Sequence, residues 1–422
     1  MTADLLLHDA DTAYTCAGPV PRRGPAQRDA GRIDRASIAA DAGRIVWVGP
    51  AASAKSAVQL SADAQVIDAR GATIIPGFVD PHTHLLYAGD RRDELQRRLA
   101  GATYAQIAAE GGGIVKTVAA TRAASEDELV THGLPRLRAM LACGTTTAEI
   151  KSGYGLDTAS ELRMLRAIAR LGAMQPIELA ATFMGAHEIP VEHRRARETF
   201  VRQVIDDMIP AVAAERLAEW CDVFCEDGVF TPEESQRILE AGLQHGLKPR
   251  IHADELGLSG GSAVAAHVHA RSADHLIFAD AAAADAMAAA GVVATLLPAA
   301  AFYLKLGRFA PARMLIERGV AVALATDLNP GGGFSPSMPF VMTLACFAMG
   351  LTLEEALIGA TINAAASLDR ADRVGSLEPG KQLDAVLVDG TLADLVRVGA
   401  PVIRNVVKRG RTVASAAVSE HA

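Results

Sequence analysis

Between residues 74 and 363, short apolar runs rich in β-branched side chains alternate with longer segments of Ala, Leu, Glu and Arg. A strand followed by a helix that returns the chain to the same end of a sheet is a βα unit, and repeating it builds a parallel sheet covered by helices. Eight runs read as strands, at 74–79, 145–150, 177–184, 221–225, 249–252, 274–278, 292–297 and 320–326. Eight is the number that closes a (β/α)8 barrel of the TIM type. Before and after this region the pattern is β-type: runs at 5–13, 44–49 and 65–69, a turn-rich stretch leading into a strand at 375–388, and a strand at 401–407. An α/β chain is therefore expected, with residues 1–72 and 370–422 forming a composite β-sandwich beside one barrel at 73–369.

The helical segments carry their own start signals. Ser125-x-x-Glu128, Thr158-x-x-Glu161, Thr231-x-x-Glu234 and Thr352-x-x-Glu355 each fit a capping box, in which hydroxyl and carboxylate satisfy first-turn amides reciprocally. Pro232 falls at the first helical position, where its missing N–H costs nothing. The helix opened by Thr158 is expected to stop at Gly172.

Of the 422 residues, 50% are hydrophobic and 21% charged, which supplies a sizeable core and excludes a disordered chain. With 41 Lys and Arg against 49 Asp and Glu, the net charge is −8, and no basic run is long enough to follow a phosphate backbone, so nucleic acid is not an expected partner. No stretch reaches the ~20 apolar residues of a membrane helix, and the acidic start at Asp4 does not resemble a signal peptide. Cys16, Cys143, Cys221, Cys225 and Cys346 are odd in number and scattered, which reads as reduced thiols in a cytoplasmic protein.

The chemistry gathers at strand ends. In Gly77-Phe-Val-Asp80-Pro81-His82-Thr83-His84 the two histidines are two residues apart, so on extended backbone both imidazoles face one side and can reach one metal ion. His252 and Asp327 end two other strands in the same register, where barrel active sites lie. Three imidazoles and a carboxylate suit zinc or iron with a position open for water. His267-Val-His269 is a decoy, because residues two apart on a helix point about 200° from each other. His8, His132, His193, His245 and His421 read as surface or packing residues, whereas His275, at the sixth strand, faces the expected ion. Arg91, Tyr154, His187 and Glu255 each lie just past a strand and can reach the barrel mouth. The runs Gly111–Gly113 and Gly331–Gly333 lack phosphate-loop spacing and read as close-approach loops above a site.

Asp80-Pro-His-Thr-His-Leu85, the later Gly375-x-Leu-x-x-Gly-x-x-x-Asp384 and the terminal β module together resemble the metal-dependent amidohydrolase superfamily. Gly101-Ala-Thr-Tyr, Lys151-Ser-Gly-Tyr-Gly-Leu156, Gly185-Ala-His187, Phe224-Cys-Glu-Asp-Gly228, His252-Ala-Asp-Glu-Leu256, Ser272-Ala-Asp-His-Leu276 and Thr326-Asp-Leu-Asn-Pro-Gly331 narrow the resemblance to its imidazolonepropionase family. The resemblance implies hydrolysis of the cyclic amide of 4-imidazolone-5-propanoate to N-formimidoyl-L-glutamate, a step of histidine degradation, by a homodimer with one zinc or iron ion per subunit. It implies His82, His84, His252 and Asp327 as metal ligands, and Glu255, His275 and Asp327, placed around the expected ion, are expected to handle the protons. Substrate contacts carry over to Arg91, Tyr154, His187, Glu255, Asn329, Gly331 and Gly332. The family usually has Ser or Thr where this chain has Gly332, which leaves a hydroxyl contact missing or supplied by another group such as Ser335. Two-metal members bridge their ions through a lysine on the fourth strand, and here that strand ends in Cys225-Glu-Asp227, so one ion is expected. A sister hydrolase such as a nucleobase deaminase is the nearest alternative, and Arg91 argues against it, since a neutral base offers an arginine fork nothing to hold. A relative kept only as a binding module would be expected to have lost ligands.

Overall fold

The computed structural model describes residues 1–102, 106–107 and 110–415. The end of the Gly101-Ala-Thr-Tyr motif and His421 lie outside the described residues. Strands β1 (Thr2–Tyr14), β2 (Arg32–Asp41), β3 (Arg44–Pro50), β4 (Gln59–Asp68) and β5 (Ala72–Pro76) belong to one mixed sheet. The barrel follows as β6 (Phe78–Asp80), β7 (Thr145–Lys151), β8 (Glu178–Ala186), β9 (Trp220–Cys225), β10 (Lys248–Ala253), β11 (Ser272–His275), β12 (Val293–Leu296) and β13 (Ala321–Leu324). The last strands, β14 (Ala385–Asp389), β15 (Ile403–Lys408) and β16 (Arg411–Ser415), return to the first sheet.

The terminal sheet curls on itself. Leu383 donates its N–H to Gly43 O at 2.9 Å and accepts from Gly410 N at 3.0 Å, tying the turn after β2 to the turn after β15. Leu5, Leu7, Ile38, Ile45, Ile74, Leu387 and Val407 pack together inside the curl, which joins both chain ends into one small core. Strand β2 carried no clear sequence signal, because Ala and charged residues have little intrinsic strand preference. It is held by antiparallel pairing with both β1 and β3 and buries Ala36, Ile38 and Ala40.

The run at 74–79 divides between the two sheets. Ala72–Pro76 pairs with β14 in the terminal sheet, and Phe78–Asp80 pairs with β7 in the barrel. Gly77 is the crossing point: a Cβ there would lie 2.4 Å from Thr146 Oγ1 and 2.5 Å from its Cγ2, so only hydrogen fits. Gly77→Ala is expected to destabilise the protein by about 1–3 kcal/mol, the usual range for overpacking a filled site. A lowered urea midpoint measures this, and an unchanged midpoint would contradict the crowding.

The eight barrel strands run in sequence order, all parallel. Closure between the first and the last comes just beyond their ends, at the Thr83–Leu328 bridge. Asp80 explains its place in the motif here: its carboxylate accepts Thr326 N at 3.1 Å and Thr326 Oγ1 at 2.5 Å, and His82 O accepts Asp327 N at 3.1 Å. The staple that closes the barrel thus places His82 and Asp327 side by side.

Ser125, Thr231 and Thr352 form the expected capping boxes, with Pro232 opening its helix. Thr158 does not. Asp157 caps that helix, Thr158–Met174, which runs two residues past Gly172. Glu161 turns away to accept the N–H groups of Gly153 (3.0 Å), Gly155 (2.8 Å) and Leu156 (2.8 Å), so the carboxylate holds the loop that carries Tyr154.

Candidate metal centre and substrate cleft

The three histidines expected to share an ion converge. His82 and His84 follow β6, His252 lies in β10, and their ligand atoms fall within 4.8 Å of one another. His84 Nε2 stands 3.3 Å from His82 Nε2 and 3.2 Å from His252 Nε2. Asp327 Oδ1 adds a fourth donor, 3.7 Å from His82 Nε2 and 3.9 Å from His84 Nε2.

The ring protons of His82 and His252 are fixed by carboxylates. His82 Nδ1 donates to Asp274 Oδ2 at 2.6 Å and His252 Nδ1 donates to Asp222 Oδ1 at 3.1 Å, so each presents an unprotonated Nε2 to the centre. His84 Nε2 carries at most one hydrogen, and therefore at least one of its two close contacts sets lone pair against lone pair. A cation between the nitrogens removes that repulsion. Tetrahedral zinc at roughly 2.0–2.1 Å from each ligand implies donor separations of about 3.3–3.4 Å, which these nitrogens nearly match. Burial, before any neighbouring charge, holds the imidazoles of His82 and His84 well below the ordinary histidine range, leaving them neutral as ligands must be. Burial likewise pushes the Asp327 carboxyl up to about 8, the behaviour of a buried acid awaiting a positive partner. The residues present fit a divalent ion.

The cleft above this cluster is lined by His84, Arg91, Tyr154, His187, His252, Glu255, His275, Asp327, Asn329, Gly331 and Gly332, all singled out from the sequence. His82 lies beneath it, fully buried. His187 stacks on His84 with ring centres 4.7 Å apart and is anchored through Nδ1 to Gly153 O at 2.9 Å. His275 Nδ1 and Glu255 Oε1 are 3.5 Å apart, and burial, then the Asp327 charge, raises the Glu255 carboxyl well above the ordinary range. Asn329 lines the cleft with its amide committed to its own loop: Nδ2 donates to Asp327 O, and Oδ1 accepts from Gly331 N and Gly332 N. A Cβ at 331 would lie 2.2 Å from Arg91 Nη1, so this glycine lets the guanidinium lie against the loop. At 332 a Cβ would meet Leu304 at 3.2 Å, and the space beside the glycine is apolar. Ser335 is not among the lining residues and accepts Ser337 N instead. A separate cavity beside Cys143, Phe340 and Val402 is lined by neither imidazole nor carboxylate.

Residues 73–413 match the family model described as the amidohydrolase family. An imidazolonepropionase from Symbiobacterium thermophilum is 50% identical over 97% of each chain. Another from Shouchella clausii is 46% identical over 98% of this chain and 94% of that protein. The chain belongs to the amidohydrolase family. The crystal structure of an adenosine deaminase from Xanthomonas campestris with bound zinc covers 97% of this chain and 93% of its own at a TM-score of 0.71, and at 19% identity it shows the shared fold.

Several working parts of this amidohydrolase were given no role from the sequence, although Lys151, Asp274 and Glu226 lie inside motifs that carry the resemblance. Asp222, Asp274, Glu149, Lys151 and Arg250 are fully buried below the histidines, and the available signal was charge inside strands that are otherwise apolar. Glu94 accepts Arg91 Nε at 2.8 Å and Gly113 N at 2.9 Å, coupling the arginine to one of the glycine runs. Glu226, at the end of the fourth barrel strand, accepts Glu255 N at 3.1 Å and Leu256 N at 2.8 Å and so presents Glu255 to the cleft. Ile114, Phe224, Leu256, Leu304 and Leu306 supply apolar wall that the sequence did not mark. His267 and His269 are exposed and outside the cleft, but the helix ends at His267 and His269 follows on left-handed backbone, so the pair does not share a helix as expected.

Proposed function

We propose that this chain is an imidazolonepropionase, hydrolysing the cyclic amide of 4-imidazolone-5-propanoate to N-formimidoyl-L-glutamate with one zinc or iron ion per subunit. The observation that carries the reading is the joining of two features in one cleft: the His82, His84, His252 and Asp327 donor set and, across from it, Arg91 held in place by Glu94. A ligand that meets both carries a hydrolysable group at one end and an anion at the other. The identity with curated imidazolonepropionases over nearly the whole chain supports the same substrate.

His82, His84, His252 and Asp327 would hold the ion, which when bound acidifies water and polarises a carbonyl. The chain's own residues do the rest. His275, kept neutral by burial, accepts a proton at one ring nitrogen. Glu255, whose carboxyl is raised by burial, hydrogen-bonds the ring nitrogens and is placed to deliver a proton to the departing nitrogen. Arg91 forks onto the propionate, Tyr154 and His187 wall the ring, and the 329–332 loop closes the carboxylate end. Leu304 and Leu306 exclude water from that face.

Elemental analysis of protein purified without added metal, followed by turnover of freshly generated imidazolone propionate and of cytosine side by side, tests this. About one equivalent of zinc or iron with turnover of the first compound alone is expected. Turnover of cytosine alone would favour the deaminase alternative, and metal-free protein inert towards both would favour the binding module. Gly331→Ala, which pushes a methyl into the guanidinium, is expected to raise KM about tenfold or more while leaving kcat nearer normal, the mark of lost binding that is uniform between ground and transition states. An unchanged KM would remove Arg91 from substrate binding. A homodimer in a cytoplasmic setting completes the reading, and no helix among the described residues is long and apolar enough to cross a membrane.

A further inference from the structure

Beneath the metal cluster lies a layer of charge that the hydrolytic reading does not use. Lys151 Nζ, fully buried at the end of β7, is 2.6 Å from Glu149 Oε1, 2.7 Å from Asp222 Oδ2 and 3.9 Å from Asp274 Oδ2. Each of these carboxylates goes on to grip a different part of the histidine set. Asp222 Oδ1 accepts His252 Nδ1 at 3.1 Å, and Asp274 Oδ2 accepts His82 Nδ1 at 2.6 Å. Glu149 Oε2 accepts the backbone N–H of Thr83 at 3.1 Å, in the residue between His82 and His84. One ammonium is thus a single step from the carboxylates that aim His82 and His252 and from the one that fixes the backbone between His82 and His84.

Arg250, the other cation of this layer, does not duplicate that position. It reaches Asp274 Oδ2 at 3.4 Å and stands 4.0 Å from Glu149 Oε1, makes its short hydrogen bonds to Ser367 O at 2.7 Å and Pro81 O at 2.8 Å, and has no contact with Asp222 among the described residues. Three carboxylates packed this closely in a dry interior repel one another, and repulsion turns each away from the imidazole it orients. Burial pulls the Lys151 ammonium down, but the Asp222 and Glu149 charges outweigh it and keep the group charged.

We propose that Lys151 is a positioning residue for the metal site, the common counter-charge that holds Asp222, Asp274 and Glu149 in the arrangement that points three histidines at one ion. The inference rests on reading those histidines as metal ligands. It gives a lysine one would otherwise assign to barrel packing a role in affinity. Outer residues that orient metal ligands typically contribute about 10–100-fold to metal affinity.

The test uses the full chain, stripped with a chelator and reloaded with zinc in competition with a chromogenic chelator, and separately with cobalt, whose visible absorption reports coordination geometry. Lys151→Met leaves three buried carboxylates with Arg250 as their one nearby cation among the described residues and risks the fold. A second variant, Lys151→Met with Glu149→Gln, removes one charge of each sign and keeps an oxygen to accept Thr83 N. Expected for the double variant are a metal-free melting temperature near that of the parent, zinc bound about 10–100-fold more weakly, and an altered cobalt spectrum. Zinc affinity within twofold of the parent with an unmoved cobalt spectrum would overturn the role of Lys151 alone. Failure of both variants to fold would also overturn it, because the lysine would then serve the barrel interior as a whole. Parent protein that takes up neither zinc nor cobalt would overturn the metal reading itself.

Discussion

His82→Ala is expected to leave a folded barrel that retains no stoichiometric divalent ion and turns over imidazolone propionate at a rate reduced well beyond the about 10²–10³-fold typical of losing a single oxyanion donor. His82 is the most enclosed of the four donors, gripped by Asp274 on one side and joined through its backbone carbonyl to Asp327 on the other. Removing the imidazole leaves His84, His252 and Asp327, and the closest remaining pair, at 3.2 Å, again sets imidazole against imidazole. The deletion takes the most enclosed of the four donors and opens a buried void beside the rest, so the three that remain lose the packing that holds them around one ion. Asp274 keeps Ser272 Oγ at 2.6 Å and Arg250 at 3.4 Å as partners, so the fold does not inherit an unpaired charge. Elemental analysis and a rate measured on the same sample decide the matter. One equivalent of metal with a near-normal rate would remove His82 from the ligand set.

The parts of this centre that could be read from the chain are those whose meaning is local. His82-Thr-His84 declares itself because two residues on extended backbone face one way, and His252, His275 and Asp327 declare themselves because each follows an apolar run of strand length. Parts whose meaning depends on a distant partner stayed silent. Asp222 looks like a stray charge in a strand, and Asp274 has no role of its own within Ser272-Ala-Asp-His-Leu276, until β9 and β11 bring them against His252 and His82. Glu161 satisfies the capping-box spacing from Thr158, yet three loop amides outbid that local pairing, since a buried carboxylate gains more from several N–H donors than from one. The run at 74–79 reads as one strand because its apolar character is continuous, and nothing but Gly77 marks where it leaves one sheet for the other. The Ser/Thr contact missing at Gly332 has no polar replacement in Ser335, because Leu304 fills the neighbouring space.

His275→Ala separates the chemistry from the ion. The expected variant keeps its metal and its KM and loses about 10²–10³ in kcat, the usual scale for a missing proton acceptor or oxyanion donor. Its ring centre stands 5.4 Å from that of His82 and 5.2 Å from that of His252, close to the cluster without joining its shared contacts. The residue sits on left-handed backbone (φ 74°), a conformation a non-glycine side chain holds at some cost, which aims the ring into the cleft beside Glu255. Burial keeps the imidazole neutral, so near pH 7 it takes a proton and does not donate one first. Alanine removes that acceptor while His82 and His252 keep their bonds to Asp274 and Asp222, so metal content and kcat should part company. If the ion leaves with the ring, His275 belongs to the ligand set and one of the present four donors must yield its place. If the ion stays and kcat stays too, the proton passes through Asp327 or Glu255 alone, and the imidazole serves only to shape the cleft.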